Sequence, residues 1–144
     1  LLWEGSCQVH DMLTIENVIK LKKKHPKAKI IAHPECKGQI LNMADFIGST
    51  TALLNYTIND ESKEYIVATE TGIIHQMKKN NKDKNFYVVT NDETCSCNDC
   101  PYMKMITLEK VYNFLKSEIP EILLSEIILE LAKKPLLKML RISK

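Results

Sequence analysis

The segment that most constrains the fold is residues 28–36, which read Ala-Lys-Ile-Ile-Ala-His-Pro-Glu-Cys. The apolar run at its centre is typical of a buried strand, and Pro34 then interrupts the regular backbone. In open α/β sheets, ligands bind in the crevice beyond the carboxyl ends of the strands. His33 and Glu35 follow the predicted strand two positions apart, so we expect an imidazole and a carboxylate to face one cavity there.

The same strand-to-helix pattern repeats along the chain as far as residue 89. We predict further strands at residues 46–47, 65–68 and 86–89, and helices at residues 14–24, 38–44, 51–58 and from the 69–72 turn to about residue 79. Strands that alternate with short helices indicate βα units. The sequence therefore predicts an α/β fold, a three-layer αβα domain built on a parallel sheet.

The pattern changes after residue 89. Residues 90–104 read as a polar loop that carries three cysteines and has no usable periodicity. Beyond it we predict a helix capped by Thr107 and ended by Pro120, followed by a segment at 122–124 that fits strand or helix. Two more helices are predicted after that segment. One runs from Ser125 to about residue 133, and the last begins at Pro135 and ends near Arg141. These segments carry more apolar surface than they can bury, so we expect them to pack on another part of the protein.

Composition narrows the class of protein. The 144 residues suffice for one domain, or for a small domain with an appendage. A net charge of +2 is too small to favour nucleic acid or an anionic membrane as a partner, and no apolar run approaches the ~20 residues of a membrane span. Five unevenly spaced cysteines do not fit a secreted disulfide framework. We therefore expect a cytoplasmic protein whose thiolates bind a metal.

Two cysteines are candidate metal ligands, because thiolates are the usual ligands of iron–sulfur clusters and a common ligand of zinc. Cys7 lies on a predicted strand-end loop, and Cys100 closes a Cys-x-x-Cys motif on the long loop. From spacing alone, Cys97 and Cys100 fit equally well a pair of loop cysteines that are free or disulfide-linked. Cys36 is expected to be a small buried hydrophobe beside the site.

His33 and Glu35 have a simpler interpretation as well. His33 fits a histidine hydrogen-bonded at a strand end, and Glu35 fits a solvated surface glutamate. His10 weighs against that interpretation, because it follows Cys7 on a loop that should lie at the same edge of the sheet.

Two helix starts supply weaker candidates. Ser49 and Thr50 can bind a carboxylate or phosphate through hydroxyls and backbone N–H groups, although N-capping is the commoner role of such residues. The Thr-Glu pair at residues 69–70 is the weakest candidate, since its glutamate can simply cap the next helix or pair with a lysine.

Six motifs follow one another in order along nearly the whole chain. They are Gly5-Ser6-Cys7-Gln8-Val9-His10, His33-Pro34-Glu35-Cys36, Ala44-Asp45-Phe46-Ile47-Gly48-Ser49-Thr50, Thr69-Glu70-Thr71-Gly72, Cys100-Pro101-Tyr102-Met103-Lys104 and Pro135-Leu136-Leu137-Lys138-Met139-Leu140. Together they resemble the motifs of the quinolinate synthase family, the iron–sulfur enzymes of pyridine-nucleotide (NAD) biosynthesis.

The resemblance implies three similar α/β domains around a pseudo-threefold axis, with a 4Fe–4S cluster held by one cysteine from each domain. Residues 1–7 then end the middle domain, residues 8–93 form the third domain, and residues 94–144 form the cluster-ligand loop and the segments that complete the first domain. Cys7 and Cys100 correspond to two of the three cluster ligands. The third cysteine has no counterpart, and the chain opens Leu-Leu-Trp, so we expect a fragment that does not act alone.

The resemblance also implies a reaction, the condensation of iminoaspartate with dihydroxyacetone phosphate to quinolinate, which makes the enzyme a transferase. Glu35 is then expected to shuttle protons in a dry cavity. His33 and Thr50 are expected to bind the iminoaspartate carboxylates with help from Ser49, and His10 is a second candidate for proton transfer or substrate contact. An L-aspartate oxidase or dehydrogenase is the implied supplier of iminoaspartate.

Two other classes of protein fit parts of the pattern. His10, His33 and Glu35 can form a two-histidine, one-carboxylate site for a single metal ion, as in hydrolases or aldolases. Residues 95–100 can form a small zinc loop in a non-enzymatic binding module. Some members of the resembled family carry Cys-x-x-Cys-x-x-Cys on this loop. In this chain the first interval is shorter, because only one residue separates Cys95 from Cys97. A redox role for these two cysteines therefore stays open.

Overall fold

The computed structural model describes residues 5–90 and 98–143, which form two compact units, Leu1–Met105 and Ile106–Lys144. Residues 1–4 and 91–97 lie outside the described residues, so the strand expected before the Cys7 loop and the cysteines Cys95 and Cys97 are not described. The assignment of residues 1–7, 8–93 and 94–144 to three different domains stays a prediction.

A four-stranded parallel sheet forms the centre of the first unit. Its strands are β1 (Lys29–Ala32), β2 (Phe46–Ile47), β3 (Glu64–Ala68) and β4 (Asn85–Val88), in the spatial order β2-β1-β3-β4. The helices of this unit are α1 (Gln8–Asp11), α2 (Ile15–Lys24), α3 (Gly38–Leu41), α4 (Thr50–Asn59), α5 (Ile73–Asn80) and α6 (Pro101–Lys104). The parallel α/β prediction is confirmed.

Alternate side chains of the two central strands pack on opposite faces of the sheet. On one face, residues such as Ile30 and Ala68 share a buried core with Val18 of α2 and Ile40 of α3. On the other face lies a second core, made of Ile31, Leu53, Tyr65, Val67, Met77 and Phe86. Two cores separated by one sheet make the three layers of an αβα domain.

Capping residues set where the longer helices begin. The side chains of Thr14 and Ser49 accept hydrogen bonds from the backbone N–H groups of Asn17 and Ala52, at the starts of α2 and α4. These begin where the sequence predicts, whereas α3 ends at Leu41 rather than near residue 44.

Two short helical turns lie where the sequence predicts only loops. The first, α1, begins after Cys7, whose carbonyl accepts a hydrogen bond from the backbone N–H of Asp11 at 2.9 Å. The second, α6, begins after Cys100, and Pro101 occupies its first turn, where a missing N–H is tolerated. Four residues are too few to show a helical period, so neither turn is visible in the sequence pattern.

At the opposite, amino-terminal edge of the sheet, Asp60 is the centre of a polar network. Its carboxylate accepts hydrogen bonds from Lys29 Nζ at 2.5 Å, from the Tyr65 hydroxyl at 2.8 Å and from the backbone N–H of Ser62 at 3.1 Å. Burial alone raises the pKa of Asp60, but these hydrogen bonds outweigh burial and lower it. The network ties the first residues of β1 and β3 to the end of α4.

The second unit contains two helices, α7 (Leu108–Ser117) and α8 (Glu126–Ile142), and every one of its described residues is exposed. Residues 122–124 are neither strand nor helix. The prediction of two separate helices from Ser125 and Pro135 is wrong, because α8 is continuous and contains Pro135. The apolar positions keep one helical period on both sides of Pro135, so the helix continues although the proline lacks an N–H donor and its ring crowds the carbonyl one turn earlier. Among the described residues, no helix is long and apolar enough to cross a membrane.

Asp60→Ala is expected to lower the free energy of unfolding by about 2 kcal/mol at pH 7, because three partly buried donors lose their acceptor. Since the folded-state pKa of Asp60 lies below its unfolded value, its contribution is fully present above about pH 4 and is lost as the pH falls through the folded-state pKa. Urea unfolding at two pH values measures both effects. Asp83→Ala is the matched control, because it removes only an exposed pair with Lys63. Equal losses in the two variants contradict the prediction.

Candidate functional site

The candidate site lies at the carboxyl edge of the sheet, where β1 and β3 end side by side. Ala32 pairs with Ala68, and the backbone N–H of His33 donates to the Ala68 carbonyl at 3.1 Å. The next residues along the two strands, His33 and Thr69, therefore lie next to each other. α1 brings His10 to the same place, because His10 Nε2 lies 3.0 Å from the hydroxyl of Thr69.

His10 and His33 form a stacked pair. Their ring centroids are 4.4 Å apart with an angle of 15° between the planes. His10 is only 6% exposed. Burial lowers the pKa of His10, the neighbouring His33 lowers it further, and Glu35 acts in the opposite direction. The net effect is a pKa of His10 below its usual value, which favours the neutral imidazole.

Glu35 contacts both imidazoles from the solvent side. One carboxylate oxygen, Oε2, lies 3.2 Å from His10 Nδ1 and 3.6 Å from His33 Nδ1. The contact with His10 has the distance of an ion pair but not the alignment of a hydrogen bond. The Glu35 side chain is 55% exposed, so the described residues do not by themselves form the dry cavity expected around it.

Cys7 completes a set of side chains that can bind a metal ion. Its Sγ, a ring nitrogen of His10 and a carboxylate oxygen of Glu35 all lie within 4.8 Å of one another. Sulfur, imidazole and carboxylate ligands together suit a borderline ion such as Zn²⁺. His33 is not part of this trio, so the predicted set of His10, His33 and Glu35 is not the one that the geometry selects within the described ranges.

The turn that carries Cys100 is fixed to the same edge of the sheet. The buried side chain of Asn98 donates to the carbonyl of Val89, just beyond β4. Thr71 donates its backbone N–H to the Asn98 carbonyl at 3.4 Å and its hydroxyl to the carboxylate of Asp99. Cys100 follows directly and is partly exposed. Cys100 is outside the trio of ligand atoms within 4.8 Å described above.

The loop Thr69–Thr71 thus holds both sides of the site. Thr69 contacts His10, which lies one helical turn after Cys7, and Thr71 contacts Asp99, which precedes Cys100. Two residues of extended chain span at most about 7 Å. Cys7 and Cys100, 93 residues apart in sequence (100 minus 7), are therefore anchored to neighbouring points of one loop.

Ser49 and Thr50 occupy the start of α4 and are exposed. The Ser49 hydroxyl accepts a hydrogen bond from the backbone N–H of Ala52 at 3.3 Å. This is N-capping, the alternative to ligand binding that the sequence also allows. Substrate binding by these two residues stays a prediction.

Cys36 is buried beside the site and has a structural contact. Its thiol donates to the carbonyl of Ala68 at 3.2 Å. Burial raises the pKa of Cys36 to about 11. A neutral thiol that is bonded to the backbone is a poor metal ligand, because the thiolate is the form that binds metals.

Thr69 has a larger role than the sequence pattern indicates. The Thr69–Glu70 pair is the weakest candidate by sequence, yet Thr69 is fully buried and is the hydrogen-bond partner of His10. Glu70 does take the local role considered for it, because its carboxylate accepts from the backbone N–H of Gly72 at 2.7 Å. The available signal was position, since Thr69 is the first residue after a central parallel strand.

Fold and site together define an αβα domain with thiol, imidazole and carboxylate groups at the carboxyl edge of its sheet. A sequence model of the quinolinate synthetase A protein family matches residues 1–141. The chain belongs to this family.

Several relatives are similar over essentially the whole chain. Proteins named quinolinate synthase from Synechocystis sp. and Microcystis aeruginosa are each 50% identical over 143 residues, 99% of this chain and 45% of the relative. One with the same name from Chloroherpeton thalassium is 46% identical over 145 residues, again 45% of its length. The chain therefore spans less than half the length of these relatives.

Cys36 is expected to resist alkylation in the folded, metal-free protein, whereas the partly exposed Cys7 and Cys100 react. At pH 8, a thiol whose pKa is about 11 is ionised in about one molecule in a thousand, and only the thiolate is nucleophilic. Iodoacetamide labelling followed by peptide mass spectrometry, with and without denaturant, measures the difference. Labelling of Cys36 as fast as that of Cys7 under native conditions contradicts the assignment.

Proposed function

We propose that this chain is part of a quinolinate synthase, which condenses iminoaspartate with dihydroxyacetone phosphate to quinolinate in NAD biosynthesis, with release of phosphate and water. Membership of the family and the similarity to proteins of that name support this proposal. Because the chain spans 45% of those relatives, the activity belongs to the longer protein and not to this segment alone.

The observation that carries the proposal is the anchoring of Cys7 and Cys100 to the two ends of the loop Thr69–Thr71. Both thiols are free and partly exposed, whereas Cys36 is neutral and bonded to the backbone. The donor set therefore suits two of the three thiolates of a 4Fe–4S cluster. When bound, such a cluster supplies one iron without a protein ligand, a Lewis acid for substrate oxygens.

The side chains of the site have separate tasks in this proposal. Glu35 accepts and returns protons at Oε2, where two imidazoles already lie within 3.6 Å. His33 and Thr50 bind the carboxylates of iminoaspartate, with Ser49 beside them. His10, whose pKa is lowered by burial, contacts Glu35 and is a second candidate for proton transfer.

A second candidate is a hydrolase or aldolase with a single metal ion, favoured by the trio Cys7, His10 and Glu35. Iron and acid-labile sulfide analysis of the full-length protein, purified without oxygen, separates the two. Iron and sulfide in equal amounts, together with quinolinate formation from the two substrates, support the synthase. A single metal ion without sulfide overturns the cluster proposal and supports the alternative.

The helical unit fits the same proposal. The apolar side chains of α7 and α8 are exposed in this chain, among them Leu108, Leu115, Ile127 and Leu136. We propose that they pack on the first domain of the complete protein, as the family resemblance implies. The free thiols of Cys7, Cys36 and Cys100 suit a reducing cytoplasm, where we propose that the enzyme works.

Glu35→Gln in the full-length enzyme is expected to lower kcat by about a hundredfold or more, because an amide cannot accept the proton that a carboxylate accepts. The iron and sulfide content should not change, since Glu35 is not a proposed ligand of the cluster. Glu61→Gln, an exposed site at the opposite edge of the sheet, is the matched control. Normal turnover in the Glu35 variant removes Glu35 from the mechanism.

Cys100→Ala is expected to abolish the visible absorbance of the cluster, because one of three thiolates is lost. Cys36→Ala is the matched control and should keep the absorbance, since its thiol is neutral and bonded to Ala68. Cys97→Ala should keep it as well. If the Cys97 variant loses the cluster and the Cys100 variant retains it, the ligand assignment is shifted by one motif position.

A further inference from the structure

Asn98 is a buried polar residue to which the proposed function assigns no task. Its side chain is fully buried, and it lies two residues before the partly exposed Cys100. Burying an amide is unfavourable unless its polar atoms find partners, so a buried asparagine beside a candidate ligand requires a reason. Its contacts with the edge of the sheet supply that reason.

The contacts of Asn98 join two neighbouring strand ends. Its side-chain amide donates to the carbonyl of Val89, the residue that follows β4. Its backbone carbonyl accepts from the N–H of Thr71 at 3.4 Å, in the loop after β3. These two strands pair in the sheet, with Val67 opposite Val88. Asn98 is therefore attached to two adjacent points of the sheet edge, one through its side chain and one through its backbone.

The side-chain contact holds Asn98 more firmly than the backbone contact does. The Val89 carbonyl is fixed by the sheet, because Val89 is fully buried and its own N–H donates to the Val67 carbonyl at 3.1 Å. The contact from Thr71, at 3.4 Å, is longer than a typical hydrogen bond. In the part of the chain that the structure describes, Oδ1 of Asn98 is buried without a partner, so the amide acts there as a donor only.

Asp99 is the other residue that could fix this turn. Its carboxylate accepts from the Thr71 hydroxyl and lies 3.7 Å from Lys104 Nζ. The Asp99 side chain is 36% exposed, however, and pairs that water can replace contribute little. The amide of Asn98 is shielded from water, so the geometry favours Asn98 as the anchor of the turn.

We propose that Asn98 is a positioning residue, whose buried amide holds the Cys100 thiol at the carboxyl edge of the sheet before any cluster is present. Two residues of chain span at most about 7 Å, so Cys100 stays close to the end of β4. A ligand that is already in place loses less conformational freedom when it binds, which strengthens binding. The role of this thiol as a cluster ligand rests on the function proposed above, but its fixed position does not.

The fixed position is tested on full-length, cluster-free protein in which only Cys7 and Cys100 remain as cysteines. A short bifunctional thiol reagent measures how often the two thiols come within its reach. Asn98→Leu keeps the approximate volume of the side chain but removes the donor. We expect the yield of the cross-link to fall about threefold or more, because the effective concentration of one thiol at the other falls when the turn is released.

Asn81→Leu is the matched control. Asn81 is also buried, at 6% exposure, and donates its side-chain amide to the Met77 carbonyl at 3.0 Å, at the opposite end of β4. It should therefore lose stability in urea as Asn98→Leu does, but keep the wild-type yield of cross-link. Asn98→Ser, whose side chain is too short to reach the Val89 carbonyl, is measured as well, so that the test does not depend on whether leucine fits the site.

The consequence for the cluster is tested in the reconstituted full-length enzyme. With an iron chelator present, Asn98→Leu is expected to lose the visible absorbance of the cluster about tenfold faster than Asn81→Leu, because groups that orient a metal ligand commonly contribute that much to affinity. This measurement needs no substrate and no turnover.

The outcomes separate the two proposals. A wild-type yield of cross-link in the Asn98 variants overturns the positioning role, and so does a fall that Asn81→Leu shares. A larger fall in Asp99→Ala than in Asn98→Leu assigns the anchor to Asp99 and overturns it as well. A lowered yield in the Asn98 variants alone, in a protein whose wild type assembles no cluster, supports the role of Asn98 and contradicts the proposed function.

Discussion

The in-register pairing of β1 with β3 is the constraint on which the site depends. Because Ala32 lies opposite Ala68, the next residues of the two strands, His33 and Thr69, emerge side by side at the carboxyl edge. His10 then fits between them, stacked on one and hydrogen-bonded to the other. A shift of one residue in this register would exchange the two faces of β3 and break both contacts.

The same edge brings together parts of the chain that are far apart in sequence. The loop after β3 has hydroxyls at Thr69 and Thr71, which face the Cys7 side and the Cys100 side respectively. Burial sorts the three cysteines that the structure describes into two kinds. Cys36 is buried and keeps its proton, whereas Cys7 and Cys100 are partly exposed and are available to a metal. The fold therefore separates structural thiols from candidate ligands by position alone.

The sequence was informative wherever a local pattern determines the structure. The parallel strands and the caps at Thr14 and Ser49 were predictable, because apolar periodicity and capping act over a few neighbouring residues. The turn that follows Cys7 is too short to have a period, and Pro135 lies inside a helix because the apolar repeat continues on both sides of it. His10 and Thr69 are 59 residues apart in sequence, so their hydrogen bond depends on the tertiary structure. Only the position of Thr69 after a strand could suggest it.

The most direct test of this account is the proximity of Cys7 and Cys100, in full-length, cluster-free protein in which Cys36, Cys95 and Cys97 are alanine. A short bifunctional thiol reagent, followed by mass spectrometry of the peptides, should yield a peptide pair that joins Cys7 to Cys100, because both are anchored to the loop Thr69–Thr71. Single modification of both cysteines, with no cross-link between them, would contradict the shared edge on which the site and the proposed function are built.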